Sequence, residues 1–232
     1  MDRRDFIGAC AAGVAVGINP AQAATLRPRF YQRVRLLDAT NRPLRAASLA
    51  ANRNYIFHYP FAATPCFLLN LGKPTQQAVT LKTESGTDYD WPGGVGPQNA
   101  IVGYSAICAH QLSYPTRQIS FISYRTAAGP SKITHTNVIH CCSEHSEYDP
   151  ATGARVLGGP APQPLSAILL EHDKAGDQIY AVGTLGAEMY DAFFKKYEFK
   201  LALEYGERAR QPVAGTAIVT ELNNYCRQQV QC

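Results

Sequence analysis

Charge is scarce in this sequence. Only 17% of its residues are Asp, Glu, Lys or Arg, against 46% hydrophobic, a balance too apolar for a chain that stays unfolded in water. The charges do not run together either. Lys and Arg number 22 and Asp and Glu 18, for a net +4, and no basic run is available to neutralise a phosphate backbone, so nucleic acid is not an expected partner. A long apolar segment is also missing. The best candidate covers only 6–18, whereas a helical span needs about 20 residues, so no transmembrane span is expected in the mature chain. No internal repeat is visible, and Gly 18 with Pro 15 supply too many turn residues for a coiled coil or a long-helix protein. At 232 residues the chain has the length of one large domain with appendages.

The first 23 residues read as an export signal. Arg3-Arg4-Asp5-Phe6-Ile7 precede the apolar run, and Asn19-Pro20 lead into the small-residue site Ala21-Gln22-Ala23, the order of a cleavable signal. Paired arginines followed by x-Phe-Ile resemble a twin-arginine signal, the route of proteins exported already folded around a cofactor. The expected location is the periplasm. Beyond it, short apolar stretches bounded by turn residues predict strands over 34–37, 55–57, 66–71, 101–104, 119–124, 138–140, 167–170 and 179–182, an all-β pattern. Asp173-Lys174-Ala175-Gly176-Asp177 reads as a hairpin loop. After Gly186 the period changes: Tyr190, Phe194, Tyr197 and Leu201 line one face of a helix ending near Gly206. The tail after Ala209 is expected to be loosely held.

Two clusters carry chemistry. Cys108-Ala109-His110 forms the first and Cys141-Cys142-Ser143-Glu144-His145-Ser146-Glu147-Tyr148-Asp149 the second. Each offers a thiolate and an imidazole from a loop after a strand, so together they can present two sulfur and two nitrogen ligands to metal. Gly158-Gly159-Pro160-Ala161-Pro162 follows closely, and its prolines would form a stiff apolar wall over whatever the loops hold. Structural zinc takes the same donor types, but Cys-x-His with one intervening residue is an uncommon zinc spacing. A catalytic thiol lacks any sign of an oxyanion hole or an orienting third group.

These motifs resemble the Rieske iron-sulfur proteins, whose pattern is Cys-x-His, then Cys-x-x-His, then a Gly-Pro-Ala-Pro loop. The resemblance implies an antiparallel β barrel or sandwich over 24–187, a cluster-binding subdomain over about 97–166, and a C-terminal helix and tail over 188–232. It implies a [2Fe-2S] cluster held by two cysteines on one iron and two histidines on the other. Cys108 and His110 match the first box. In the second, keeping Cys-x-x-His selects Cys142 and His145, the preferred reading because ligand spacing is set by cluster geometry. Aligning Ser146-Glu147-Tyr148-Asp149 without a gap makes Cys141 the alternative ligand. Ser146 and Tyr148 correspond to hydroxyl donors toward the cluster sulfurs, and Pro160 to the proline-loop wall.

Stretches such as Thr64-Pro65-Cys66-Phe67-Leu68-Leu69-Asn70-Leu71-Gly72-Lys73-Pro74 and Gly94-Val95-Gly96-Pro97-Gln98-Asn99-Ala100 look most like the small subunit of arsenite oxidase. That likeness implies a periplasmic electron carrier between a large redox subunit, of the molybdenum kind, and a cytochrome c. The alternatives are a quinol-oxidising subunit of a cytochrome bc complex and a zinc-stabilised or clusterless binding module. Ser113 and Glu144 stand where related proteins carry the cysteines of an inter-loop disulfide, so packing and hydrogen bonds alone are expected to clamp the loops, and an anionic Glu144 to lower the potential. In an oxidising compartment Cys226 is expected to pair with Cys232, or one of them with Cys66. His58, His135, His140 and His172 read as packing or surface residues, with His140, beside the second box, the one to watch.

Overall fold

The computed structural model describes residues 25–127 and 135–232; the expected export signal, 1–23, lies outside them. The fold is all-β. In chain order the strands are β1 (Arg29–Leu37), β2 (Tyr55–His58), β3 (Pro65–Asn70), β4 (Val79–Lys82), β5 (Asp88–Trp91), β6 (Ile101–Ser105), β7 (Ile119–Ser120) and β8 (Ile122–Arg125). They continue with β9 (Val138–Cys141), β10 (Ser146–Asp149), β11 (Arg155–Gly158), β12 (Ala167–Asp173), β13 (Gln178–Leu185), β14 (Thr216–Ile218), β15 (Thr220–Glu221) and β16 (Gln228–Gln229). Three short helices, α1 (Tyr190–Lys196), α2 (Glu198–Tyr205) and α3 (Leu222–Tyr225), follow β13. No helix among the described residues is long and apolar enough to cross a membrane.

Eight strands form one sheet in the order β14-β1-β13-β12-β6-β3-β2-β15. Its two edge strands, β14 and β15, are separated in sequence by Val219 alone. Two chain steps reach no more than about 7 Å, so the sheet curls until its edges come together, as in a barrel. Val34, Leu36, Cys66, Leu68, Ile179 and Ala181 fill the interior. From β3, alternate residues face opposite ways: Phe67 and Leu69 belong to a second core shared with the cysteine loops. A strand buried on both faces needs an unbroken apolar run, which 66–69 supplies.

A smaller sheet, β11-β10-β9-β8, packs against that second core and carries the loop between β9 and β10. Asp173 pairs with Gln178 across the β12–β13 turn, which places the expected hairpin. The expected single helix is instead two, broken at Tyr197 (φ −110°). Its aromatic stripe is core: Tyr190, Phe193, Phe194 and Leu201 bury against Ile107, Leu112 and Tyr114 of the loop after β6.

The tail is firmly held rather than loose. Strand β14 pairs with β1, β15 with β2 and β16 with β7, and Cys232 is bonded to Cys142. Polar strands this short carry almost no periodicity of their own; pairing with existing strand edges orders them.

Candidate metal centre

Two loops built alike face each other. In the first, after β6, the Leu112 amide donates to the Cys108 carbonyl at 3.0 Å. In the second, between β9 and β10, the His145 amide donates to the Cys141 carbonyl at 2.7 Å. Leu112 and His145 both adopt left-handed backbone, φ 59° and 58°, a conformation uncommon in residues other than Gly and Asn that tends to persist at functional sites. The amides two and three residues beyond each cysteine turn back to its sulfur: His110 and Gln111 toward Cys108, Ser143 and Glu144 toward Cys141. Cys141, by this correspondence, is the counterpart of Cys108.

Cys108 and Cys141 are both buried and free of disulfides, and their sulfurs lie against each other. Hydrogen bonding from the Cys141 thiol lowers the Cys108 pKa to about 6, in spite of burial. The same contact, with burial, pushes Cys141 up. One thiolate sharing a proton with a neighbouring thiol is the arrangement that a cation would complete. Buried Tyr148 lies across them: its hydroxyl accepts from the Ala109 amide at 3.2 Å and is 3.3 Å from Cys108 Sγ, so its own proton is directed at the sulfur.

In the same two loops some buried polar atoms have no partner. They include the Nδ1 atoms of His110 and His145 and the Ser146 hydroxyl. Buried polar atoms are nearly always satisfied, so an unpaired imidazole nitrogen in each loop that also holds a free thiol is a candidate ligand atom. Both residues are half-buried. The third loop closes over the second. Gly159, φ +81°, lies so close that a Cβ there would meet the His145 carbonyl carbon at 2.8 Å and Ser146 Cα at 2.5 Å. Pro160 is exposed; Ala161 is the loop residue that reaches the core of Cys108, Cys141 and Tyr148.

The spacing-based preference for Cys142 is corrected here. Its sulfur is bonded to Cys232, with Cα atoms 5.7 Å apart, and is not available to metal. The reason is strand geometry: Cys141, ending β9, faces the core with Ile139, and the next residue must point the other way. The expected pairings of Cys226 or Cys66 are corrected with it, because both remain free and buried. Among the described residues no disulfide joins the two loops to each other; the covalent tie runs from the second loop to the tail. Glu144 is exposed, where water screens its charge.

On the outer side of β9, His140 is fully buried. Its Nδ1 lies 3.3 Å from Cys232 Sγ and 3.7 Å from Cys142 Sγ, and Arg125 Nη2 is 3.2 Å from Cys142 Sγ. Burial first, then the Arg125 charge, lower the His140 pKa to about 4. His135 pairs with Glu147 at 2.6 Å, His172 with Asp177 at 2.9 Å and His58 with Tyr225 at 3.1 Å. Sequence reasoning missed Arg125 and the pairing of Cys232 with Cys142. The one available signal was that adjacent cysteines at a strand end must face opposite sides, so one of them needed another partner.

No family model matches the chain. Among solved structures it is similar to the soluble domain of the Rieske protein II (soxF) from Sulfolobus acidocaldarius, with 26% identity over 66% of this chain and 78% of that one and a TM-score of 0.45. Backbone overlap at that level leaves the chemistry to be decided by the loops and their side chains.

Proposed function

We propose that the chain is a Rieske-type electron-transfer domain that holds a [2Fe-2S] cluster between its two loops. In this reading Cys108 and Cys141 bind one iron, and His110 and His145 bind the other through Nδ1. One observation carries the reading: two abutting free thiols sit in loops of matching design, and each loop also holds an imidazole whose buried Nδ1 has no hydrogen-bond partner. Zinc accepts the same donors, but it has no redox chemistry for the nearby hydroxyls of Tyr148 and Ser146 to tune. When bound, such a cluster supplies one-electron redox chemistry, in a window of about −150 to +300 mV.

The protein's part is positioning and electrostatics. Tyr148 and the amides of His110, Gln111, Ser143 and Glu144 direct hydrogens at the cysteine sulfurs, which favours negative charge there and raises the potential. His110 and His145, both half-buried, are the route by which an electron or a proton passes to a partner. Lys196 Nζ donates to the Gln111 carbonyl at 2.6 Å, tying the first helix to the loop that presents His110. The partners we propose are a large oxidoreductase subunit as donor and a cytochrome c as acceptor, in the periplasm.

Metal analysis and electron paramagnetic resonance test this directly. Purified protein should contain two iron and two acid-labile sulfide per chain, be coloured, and give a resonance signal after dithionite reduction. Colourless, iron-free protein that stays silent after reconstitution with iron and sulfide would refute the reading.

A further inference from the structure

The second loop contains one thiol that the cluster leaves unused, Cys142, three positions before His145, a separation of the order found between paired ligands of zinc sites. We propose that the chain with its Cys142–Cys232 disulfide open has a separate metal site, in which Cys142, Cys232, His140 and His145 bind one zinc ion. Tetrahedral zinc, with bonds of about 2.3 Å to sulfur and 2.0–2.1 Å to nitrogen, sets its ligand atoms roughly 3.3–3.8 Å apart. Two edges of that tetrahedron already exist: His140 Nδ1 lies 3.3 Å from Cys232 Sγ and 3.7 Å from Cys142 Sγ. Ligand atoms of His140, His145 and Cys232 all fall within 4.8 Å of one another, and binding zinc would require side-chain rotation to draw His145 and Cys142 in to bonding distance. The sulfur–sulfur edge alone must lengthen, from a bond to a non-bonded contact.

The chemistry balances. A phosphine supplies two electrons and takes the oxygen of one water to become its oxide, and the two protons of that water turn the disulfide into two thiols; zinc then displaces both thiol protons to buffer, leaving a neutral centre with two thiolates and two imidazoles. A newly made chain whose disulfide has not yet closed reaches the same state without a reductant. Arg125, 3.2 Å from Cys142 Sγ, favours the thiolate form. His145 belongs to both sites, so zinc and the cluster compete for it, and the thiol state of the tail decides which metal the second loop can keep. The zinc site does not depend on the cluster reading, because Cys108, Cys141 and His110 take no part in it.

The test is a zinc titration against a chromophoric chelator. The full chain carries Cys108→Ser and Cys141→Ser, which remove the cluster thiols, and is compared before and after a phosphine reductant. One zinc per chain should bind only after reduction, and His140→Gln or Cys232→Ser should each weaken it more than roughly 100-fold. Cobalt in place of zinc should show thiolate-to-metal charge transfer. If the double variant lacks native circular dichroism, cluster-free wild type serves, read as the additional zinc bound on reduction. No additional zinc after reduction, or binding that His140→Gln and Cys232→Ser leave unchanged, overturns the proposal.

Discussion

Replacing Cys142 and Cys232 together by Ser separates the roles of the adjacent cysteines. The disulfide joins residues 90 apart in sequence, and constraining the unfolded chain by a loop of that size is worth roughly 4–5 kcal/mol in the chain-entropy account. For a protein of this length each kcal/mol moves Tm by about 2–4 °C. The double variant should therefore melt about 10–18 °C lower in a non-reducing scan while keeping its iron and its visible absorption, because Cys108, Cys141, His110 and His145 are untouched. Wild type reduced in zinc-free buffer should match it. Cys141→Ser should do the opposite, losing the cluster with the tail still clamped. If the double variant loses its iron and Cys141→Ser keeps it, Cys142 is the ligand and the correspondence between the two loops is wrong; a Tm change below about 3 °C would show that the tail clamp adds little.

Three further outcomes follow from the geometry. Gly159→Ala forces a Cβ into the His145 and Ser146 backbone at a positive φ. At a cost of about 2–4 kcal/mol this should lower the urea midpoint by roughly 1 M, and an unchanged midpoint would contradict the packing described. Tyr148→Phe deletes the hydroxyl aimed at Cys108 Sγ; losing about 1–1.5 kcal/mol of preference for the reduced state lowers the potential by about 40–65 mV at 59 mV per tenfold change, measurable by film voltammetry, and an equal potential in both proteins refutes the bond's role. His58 is lowered to about 4 from 6.5 by burial, so between those values the unfolded chain binds the extra proton and stability falls as pH drops. The loss approaches about 3 kcal/mol at pH 4; His58→Gln should flatten that part of the stability–pH curve, and an unaltered slope from pH 6.5 to 4 counts against a buried neutral imidazole.

The strand candidates that were legible in sequence, such as 66–71 and 167–170, are those whose apolar residues are driven into a core by their own composition. Strands β4, β5, β10 and β11 were not read in the sequence: each has only four residues, and even where polar and apolar side chains alternate, as in Val79–Lys82 and Asp88–Trp91, so short a pattern barely stands out; pairing with neighbouring strands holds them. Similarly, Tyr190, Phe194, Tyr197 and Leu201 announced a helix, but the break at Tyr197 goes with how the two halves seat on the first loop.

By itself the sequence determined the chemistry on offer: thiols and imidazoles in two boxes, a glycine-proline loop after them, and an all-β chain to present them. Those are local facts, set by residue identity and by period along the chain. Tertiary structure decided which thiol faces which. Cys141 turns inward to Cys108 and Cys142 outward to Cys232 because successive residues of a strand point to opposite faces, and because a tail 90 residues away is brought alongside by strand pairing that no local pattern encodes.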